Sequence, residues 1–195
     1  MGKRPEAGRR ASAAAGSFIA LLRGINVGGK NKIPMADLAE IFSDAGCREV
    51  RTYIQSGNVV FTADPRQAAR IPDVVPAMIA ERLGLRAPIV MRTHAEWRRV
   101  VTNNPFLKSG ADTAALHVAF LAETPQPRRI AALDPDRSPG DFFAARGRDI
   151  YLHLPNGVGR TKLTNAWFDA ALGTTSTLRN WRTVLTLLEM AQEAG

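Results

Sequence analysis

Apolar and polar positions alternate along the chain in a way that divides it into short strands and amphipathic helices. Residues 17–23 form a nearly continuous apolar run, the pattern of a central strand. A Gly/Asn/Lys stretch over 24–32 interrupts it. Leu38, Ile41, Phe42 and Ala45 then recur at helical spacing, with Pro34 suited to the first turn and Gly46 to the stop. Residues 48–62 read as a hairpin. Val50, Thr52 and Ile54 lie on one face, Arg51, Tyr53 and Gln55 on the other, and Ser56-Gly57 makes the turn. A helix over 68–83 and a strand over 86–92 complete the order β-α-β-β-α-β, the split βαβ or ferredoxin-like pattern.

Thr93 and Glu96 form a capping box for a helix carrying Trp97, Val100 and Val101, which Asn103-Asn104-Pro105 ends. Beyond it the plan partly recurs. A strand over 114–121 leads to a short helix over 127–133. A hairpin follows, with arms at 140–146 and 149–154. A helix over 164–172 is closed by Gly173, and Thr177 caps a last helix over 178–193. The expected architecture is α+β: a disordered basic tail at 1–16, a ferredoxin-like half at 17–103, and a second, related, smaller α+β half at 104–195.

Charge adds a partner to this outline. The formal net charge is +8, of which the tail contributes +3 through Lys3, Arg4, Arg9 and Arg10 against Glu6. Such an excess favours anionic partners, nucleic acid or nucleotides. Arginine outnumbers lysine 21 to 5, which a GC-rich genome also produces, so the placement of the cations matters more than their sum. No run of about 18 apolar residues occurs, so no membrane span is expected. The alanine stretch at 11–15 is too short for the apolar core of a secretory signal. The single cysteine, Cys47, suits a cytoplasmic protein.

Four segments carry candidate chemistry. Arg23 to Lys32 sets three cations and three glycines between a strand and a helix with no acid among them, an arrangement that turns backbone N–H groups and positive charge toward an anion. Arg23, Asn26, Gly28, Gly29, Lys30, Asn31 and Lys32 are its candidate ligands. Gly24 to Lys30 also fits the spacing of the phosphate loop of nucleotide hydrolases. Asn31 stands where that motif needs Ser or Thr, Pro34 interrupts the helix, and parallel βαβ units are missing, so that reading is rejected. Residues 156–163 repeat the asparagine, glycine and cation positions of 26–33 and add Arg160 and Lys162. Two such loops, one per half, would face a shared groove. Arg179 and Asn180 fall in the expected first helical turn after Thr177, where the helix dipole opposes a cation unless an anion or a carboxylate sits nearby. The hairpin tip adds Gln55 and Asn58. His117 and His153 sit on expected strands without clustered carboxylates or thiols, so neither a metal nor any other cofactor is expected.

Ala20 to Gly29 together with Thr52 to Val59 resemble domain of unknown function 1697. Asn104-Pro105-Phe106, Tyr151 to Gly157 and Thr177 to Thr183 are similar to its later motifs. The resemblance runs from about residue 17 to 193. It implies a cytoplasmic bacterial α+β protein with a ferredoxin-like part, and it implies no activity. The function expected from the residues is binding of a phosphate-bearing small molecule or nucleic acid at the basic Gly-rich loops. The rival expectations are an enzyme acting on a small anionic substrate, with His117, His153 or Cys47 moving the proton, and a protein-interaction module with an exposed apolar patch.

Overall fold

A computed structural model describes residues 15–194. The first half runs β1 (Gly16–Leu22), α1 (Met35–Asp44), β2 (Arg48–Tyr53), β3 (Asn58–Ala63), α2 (Pro65–Leu83), β4 (Ile89–Thr93) and α3 (His94–Thr102). The short α4 (Pro105–Lys108) and a 3-10 turn (Thr113–Ala115) lead into the second half. This comprises β5 (Leu116–Leu121), α5 (Pro127–Ala131), β6 (Phe142–Arg146), β7 (Asp149–His153), α6 (Asn165–Leu172), β8 (Ser176–Asn180) and α7 (Trp181–Glu193). The expected tail over 1–16 lies, except for its last two residues, outside the described residues. Among the described residues no helix is long and apolar enough to cross a membrane.

Each half builds a four-stranded antiparallel sheet of the same order, β2-β3-β1-β4 and β6-β7-β5-β8. The chain is therefore α+β, and its second half repeats the split βαβ plan in full. The element missing from the sequence reading is β8. Ser176–Asn180 pairs along β5 instead of opening the last helix, and the cap of α7 is Asn180, whose Oδ1 accepts from the Thr183 N–H at 2.8 Å. Thr177 and Asn180 can both cap a helix. The unpaired edge of β5 decides between them, because it takes residues 176–180 as a strand.

Three apolar layers follow from strand alternation. Phe18, Ala20 and Leu22 point toward α1 and α2; Ala119, Leu121 and Leu152 point toward α5 and α6. The opposite faces meet in one central core, where Ile19, Leu21 and Val60 of the first sheet join Val118, Phe120 and Tyr151 of the second, with Trp97 of α3 and Val184 of α7. The Trp97 indole donates to the Val184 carbonyl at 2.9 Å, so its polar edge is satisfied inside this core. The capping box predicted at Thr93 and Glu96 is present. The face expected for Ile54 is not. Glu49 takes a positive φ of 50° where the β2–β3 register shifts, and Ile54, at φ 46°, sits 52% exposed in the turn.

Candidate functional site

The basic stretch after β1 is a small projecting tongue. Ile25 and Ile33 are buried and anchor its two ends. Between them the Asn26 N–H donates to Asn31 O and the Lys30 N–H to Val27 O. Gly28 and Gly29 have φ of 57° and 76°, the positive pair that a tight two-residue hairpin turn requires. Asn26 locks the base. Its amide donates to Ile33 O at 3.0 Å and to Gln55 O at 2.9 Å, and its Oδ1 accepts from the Ile33 N–H at 2.8 Å. Asn31 donates to Gly24 O. Lys30, Lys32 and the tip residue Val27, 67% exposed, stand in solvent.

Beside the tongue lies an open cavity of about 430 Å³ lined by Asn26, Gly29, Lys32, Ile33, Pro34 and Gln55. No lining residue is acidic. Pro34 of the lining leads into α1 at the cap position and offers no side-chain hydrogen bond, leaving first-turn N–H groups without an intrahelical partner. Asp37 lies in that turn but not in the lining. Among the described residues neither Lys30 nor Lys32 makes an ion pair.

Four expected ligands have other duties. Arg23 forms an ion pair with Asp169 of α6, which joins the halves. Asn58 is buried, donating to Tyr53 O and Ser56 Oγ and accepting from Arg179 Nε at 2.6 Å. Arg179, read from the sequence as a cation in a first helical turn, is a buried strand residue. Its Nη1 donates to Thr177 Oγ1 and Leu178 O, and its Nη2 to Leu22 O and Ser56 O. With Nε on Asn58, all five N–H groups are used, every acceptor is neutral, and burial pulls the guanidinium pKa down to about 10. Asn58, Arg179 and the cap residue Asn180 thus act within the fold.

The 156–163 loop is not the counterpart of 24–32. The first loop leaves the first strand of its half, whereas 156–163 leaves the third strand, β7. The true counterpart of the tongue is the short link after β5. Arg160 and Lys162 are exposed, and the loop is tied down by Ser138, whose Oγ accepts from the Lys162 N–H at 3.0 Å and donates to Asp141 at 2.7 Å.

The two histidines cannot meet. His117 pairs with Leu152 and Leu116 with His153 across β5 and β7, so the imidazoles point to opposite faces. His153 stacks on Phe142 and packs at a tilt against Phe106. Cys47 is buried in the first core, and burial pushes its thiol up to about 12. Among the described residues none of the three hydrogen-bonds to the basic loops.

One charged group escaped the sequence reading. Arg92 of β4 is buried and donates to Asp149 at 2.9 Å, while Arg148 reaches Glu96 of α3 at 2.5 Å, giving two ion pairs across the seam between the halves. An arginine inside the apolar strand Ile89–Thr93, immediately before a helix cap, was the available signal, and Arg179 repeats it before Asn180.

The family model described as "Protein of unknown function (DUF1697)" matches residues 16–151. The chain belongs to the DUF1697 family. The matched region spans the tongue, the hairpin tip and the Arg92–Asp149 and Glu96–Arg148 ion pairs. Among solved structures, the conserved bacterial protein SP0830 from Streptococcus pneumoniae is similar, with a TM-score of 0.72 and 22% identity over 91% of this chain and 99% of that one. At that identity the likeness concerns the fold. No curated protein matches the chain.

Proposed function

We propose that this DUF1697 protein binds a phosphate-bearing small molecule of nucleotide size, with its phosphate in the cavity between the tongue and the start of α1. The observation that carries the reading is the cavity lining, which offers the Lys32 ammonium and the amide of Gln55 and no carboxylate, and ends at Pro34, the cap position of a helix without a side-chain cap. Asn26 holds the tongue in place from beneath. Lys30 strengthens the field from the tongue's other arm.

The cavity volume suits one nucleotide more than a strand. Val27 and Ile54, next in sequence to the lining residues Asn26 and Gln55, are exposed apolar side chains. Binding without catalysis is favoured over the enzyme reading because the candidate proton carriers sit elsewhere: Cys47 and His117 are buried and His153 is packed against aromatic rings. A single cysteine, free and buried, fits a protein of the reducing cytoplasm, where we place this function.

Thermal denaturation with inorganic pyrophosphate and ADP tests the reading. A ligand at 100 times its Kd stabilises a fold by about 2.7 kcal/mol. The shift should appear with at least one of the two, survive moderate salt and vanish in Lys32→Ala. A shift equally large in Lys32→Ala, or no shift with either compound, refutes it.

A further inference from the structure

The ion pair between Glu96 and Arg148 borders a second open cavity, about 420 Å³, at the seam between the halves. Phe18, Ala68, Ala69, Pro72 and Met91 make its wall apolar, and the polar edge is formed mainly by Glu96 and Arg148. Its volume lies at the lower end of the range for small-molecule sites, roughly 300–1,000 Å³, and such sites favour domain seams.

The internal repeat shows that the fold does not require this ion pair. Arg92 and Arg179 are counterparts, so Glu96, four residues after Arg92, corresponds to Thr183. Asp149 and Asn58 each open the third strand of their half, so Arg148 corresponds to Gly57. The equivalent pair across the repeat, Thr183 of the second half and Gly57 of the first, keeps the same architecture without an ion pair. The Glu96–Arg148 pair is therefore an addition, and it stands at the mouth of an apolar cavity.

Its charges remain accessible. Glu96 and Arg148 side chains are 36% and 30% exposed. Glu96 gives Oε2 to the Thr93 N–H and hydroxyl, and Oε1 meets Arg148. Arg148 uses one Nη2 donor for Glu96 and one Nη1 donor for Ala122 O, leaving three N–H groups for a ligand. A lone anion brought to Arg148 would be repelled by Glu96, and a lone cation brought to Glu96 would be repelled by Arg148. A group carrying both charges one carbon apart suffers neither penalty, and it completes a four-centre arrangement of alternating charge.

We infer that this cavity binds a free α-amino acid with an apolar side chain, its carboxylate on Arg148, its ammonium on Glu96 and its side chain against the wall formed by Phe18, Ala68 and Met91. The site is separate from the tongue and shares none of the tongue's lining residues.

Isothermal titration with L-leucine, L-phenylalanine, 3-phenylpropanoic acid and phenethylamine tests this. At least one of the two amino acids should bind. If that is phenylalanine, its affinity should exceed those of the acid and the amine by tenfold or more. Ala69→Trp, a change at an exposed position of α2 in the cavity's apolar wall, should abolish binding, whereas Lys32→Ala should leave it unchanged. Circular dichroism of Ala69→Trp establishes that it folds. The inference fails if neither amino acid binds, if the acid or the amine binds as tightly as phenylalanine, or if a folded Ala69→Trp variant binds undiminished.

Discussion

Arg92 and Arg179 occupy the same place in the two halves, and each clamps its own half to the other. Each stands one residue before the cap of the helix that follows, and each donates to the carbonyl of the preceding residue, Met91 or Leu178. Each also reaches the last carbonyl of the first strand of the opposite half: Arg92 binds Leu121 O at 3.0 Å and Arg179 binds Leu22 O at 2.9 Å. Each also takes a carbonyl of the facing hairpin turn, Arg148 O for Arg92 and Ser56 O, one position earlier in the turn, for Arg179. The two differ at the head of the third strand, where Arg92 meets the carboxylate of Asp149 and Arg179 meets the amide of Asn58, and Arg179 alone also donates to a hydroxyl, that of Thr177.

That difference sets the first prediction. Arg92→Met strands the carboxylate of Asp149, 19% exposed, without its partner and should cost about 3–5 kcal/mol, toward the lower end. Arg179→Met leaves only neutral acceptors and removes a buried charge that no carboxylate compensates, so about 1–3 kcal/mol is expected. Urea unfolding midpoints of the two variants measure the order. Equal costs, or a larger one for Arg179→Met, would contradict the assignment.

Gly57 connects the hairpin tip to the tongue's anchor. Its φ is +73°, and a Cβ there would sit 2.8 Å from both Ile25 Cδ1 and Leu22 Cβ. Gly28, at φ +57°, faces open space. Gly28→Ala should therefore cost only the left-handed backbone penalty, about 1–2 kcal/mol, whereas Gly57→Ala adds overpacking of about 1–3 kcal/mol. Thermal unfolding of the two variants, side by side, gives the comparison.

His117 makes stability sensitive to mild acid. Burial holds its pKa below the ordinary 6.5, and its hydrogen bond with Ala115 O offsets only part of that. The unfolded chain then takes up the proton first, so the contribution is complete above pH 6.5 and is lost as pH falls. Asp149, pushed up mainly by burial against the pull of Arg92, works in the opposite sense at lower pH. Comparing wild type with His117→Gln isolates the histidine: the variant should show the flatter stability profile between pH 7 and pH 5.

Cys47 should be inert in the folded protein, because burial removes both access and thiolate. Reaction with Ellman's reagent at pH 8 should be slow in buffer and prompt in denaturant. Prompt reaction of the native protein would mean the first core is open around α1.

How much of this was legible in the sequence depended on how local the cause was. The capping box at Thr93, the helix stops at Gly46 and Gly173, and the Ser56-Gly57 turn rest on neighbours in the chain, and each appears where it was expected. Strand β8 was hidden because Ser176 to Asn180 pairs with β5, some sixty residues earlier, and nothing local distinguishes that from a helix start. Arg179 was misread for the same reason, since its partners Leu22, Ser56 and Asn58 are more than 120 residues away. The tongue was legible because glycines, asparagines and lysines adjacent in sequence act together. The likeness of 156–163 to 26–33 misled because a short Gly-rich motif does not record which strand it follows.

The central claim is that the tongue cavity holds a phosphate, and amide chemical-shift mapping tests it most directly. Titrating ADP into the 15N-labelled protein should move the amides of residues 24–33, 35–37 and 55, and leave those of 156–163 in place. The same titration of Lys32→Ala should move none of them. Shifts spread evenly over exposed basic residues, or concentrated at Arg160 and Lys162, would contradict the account.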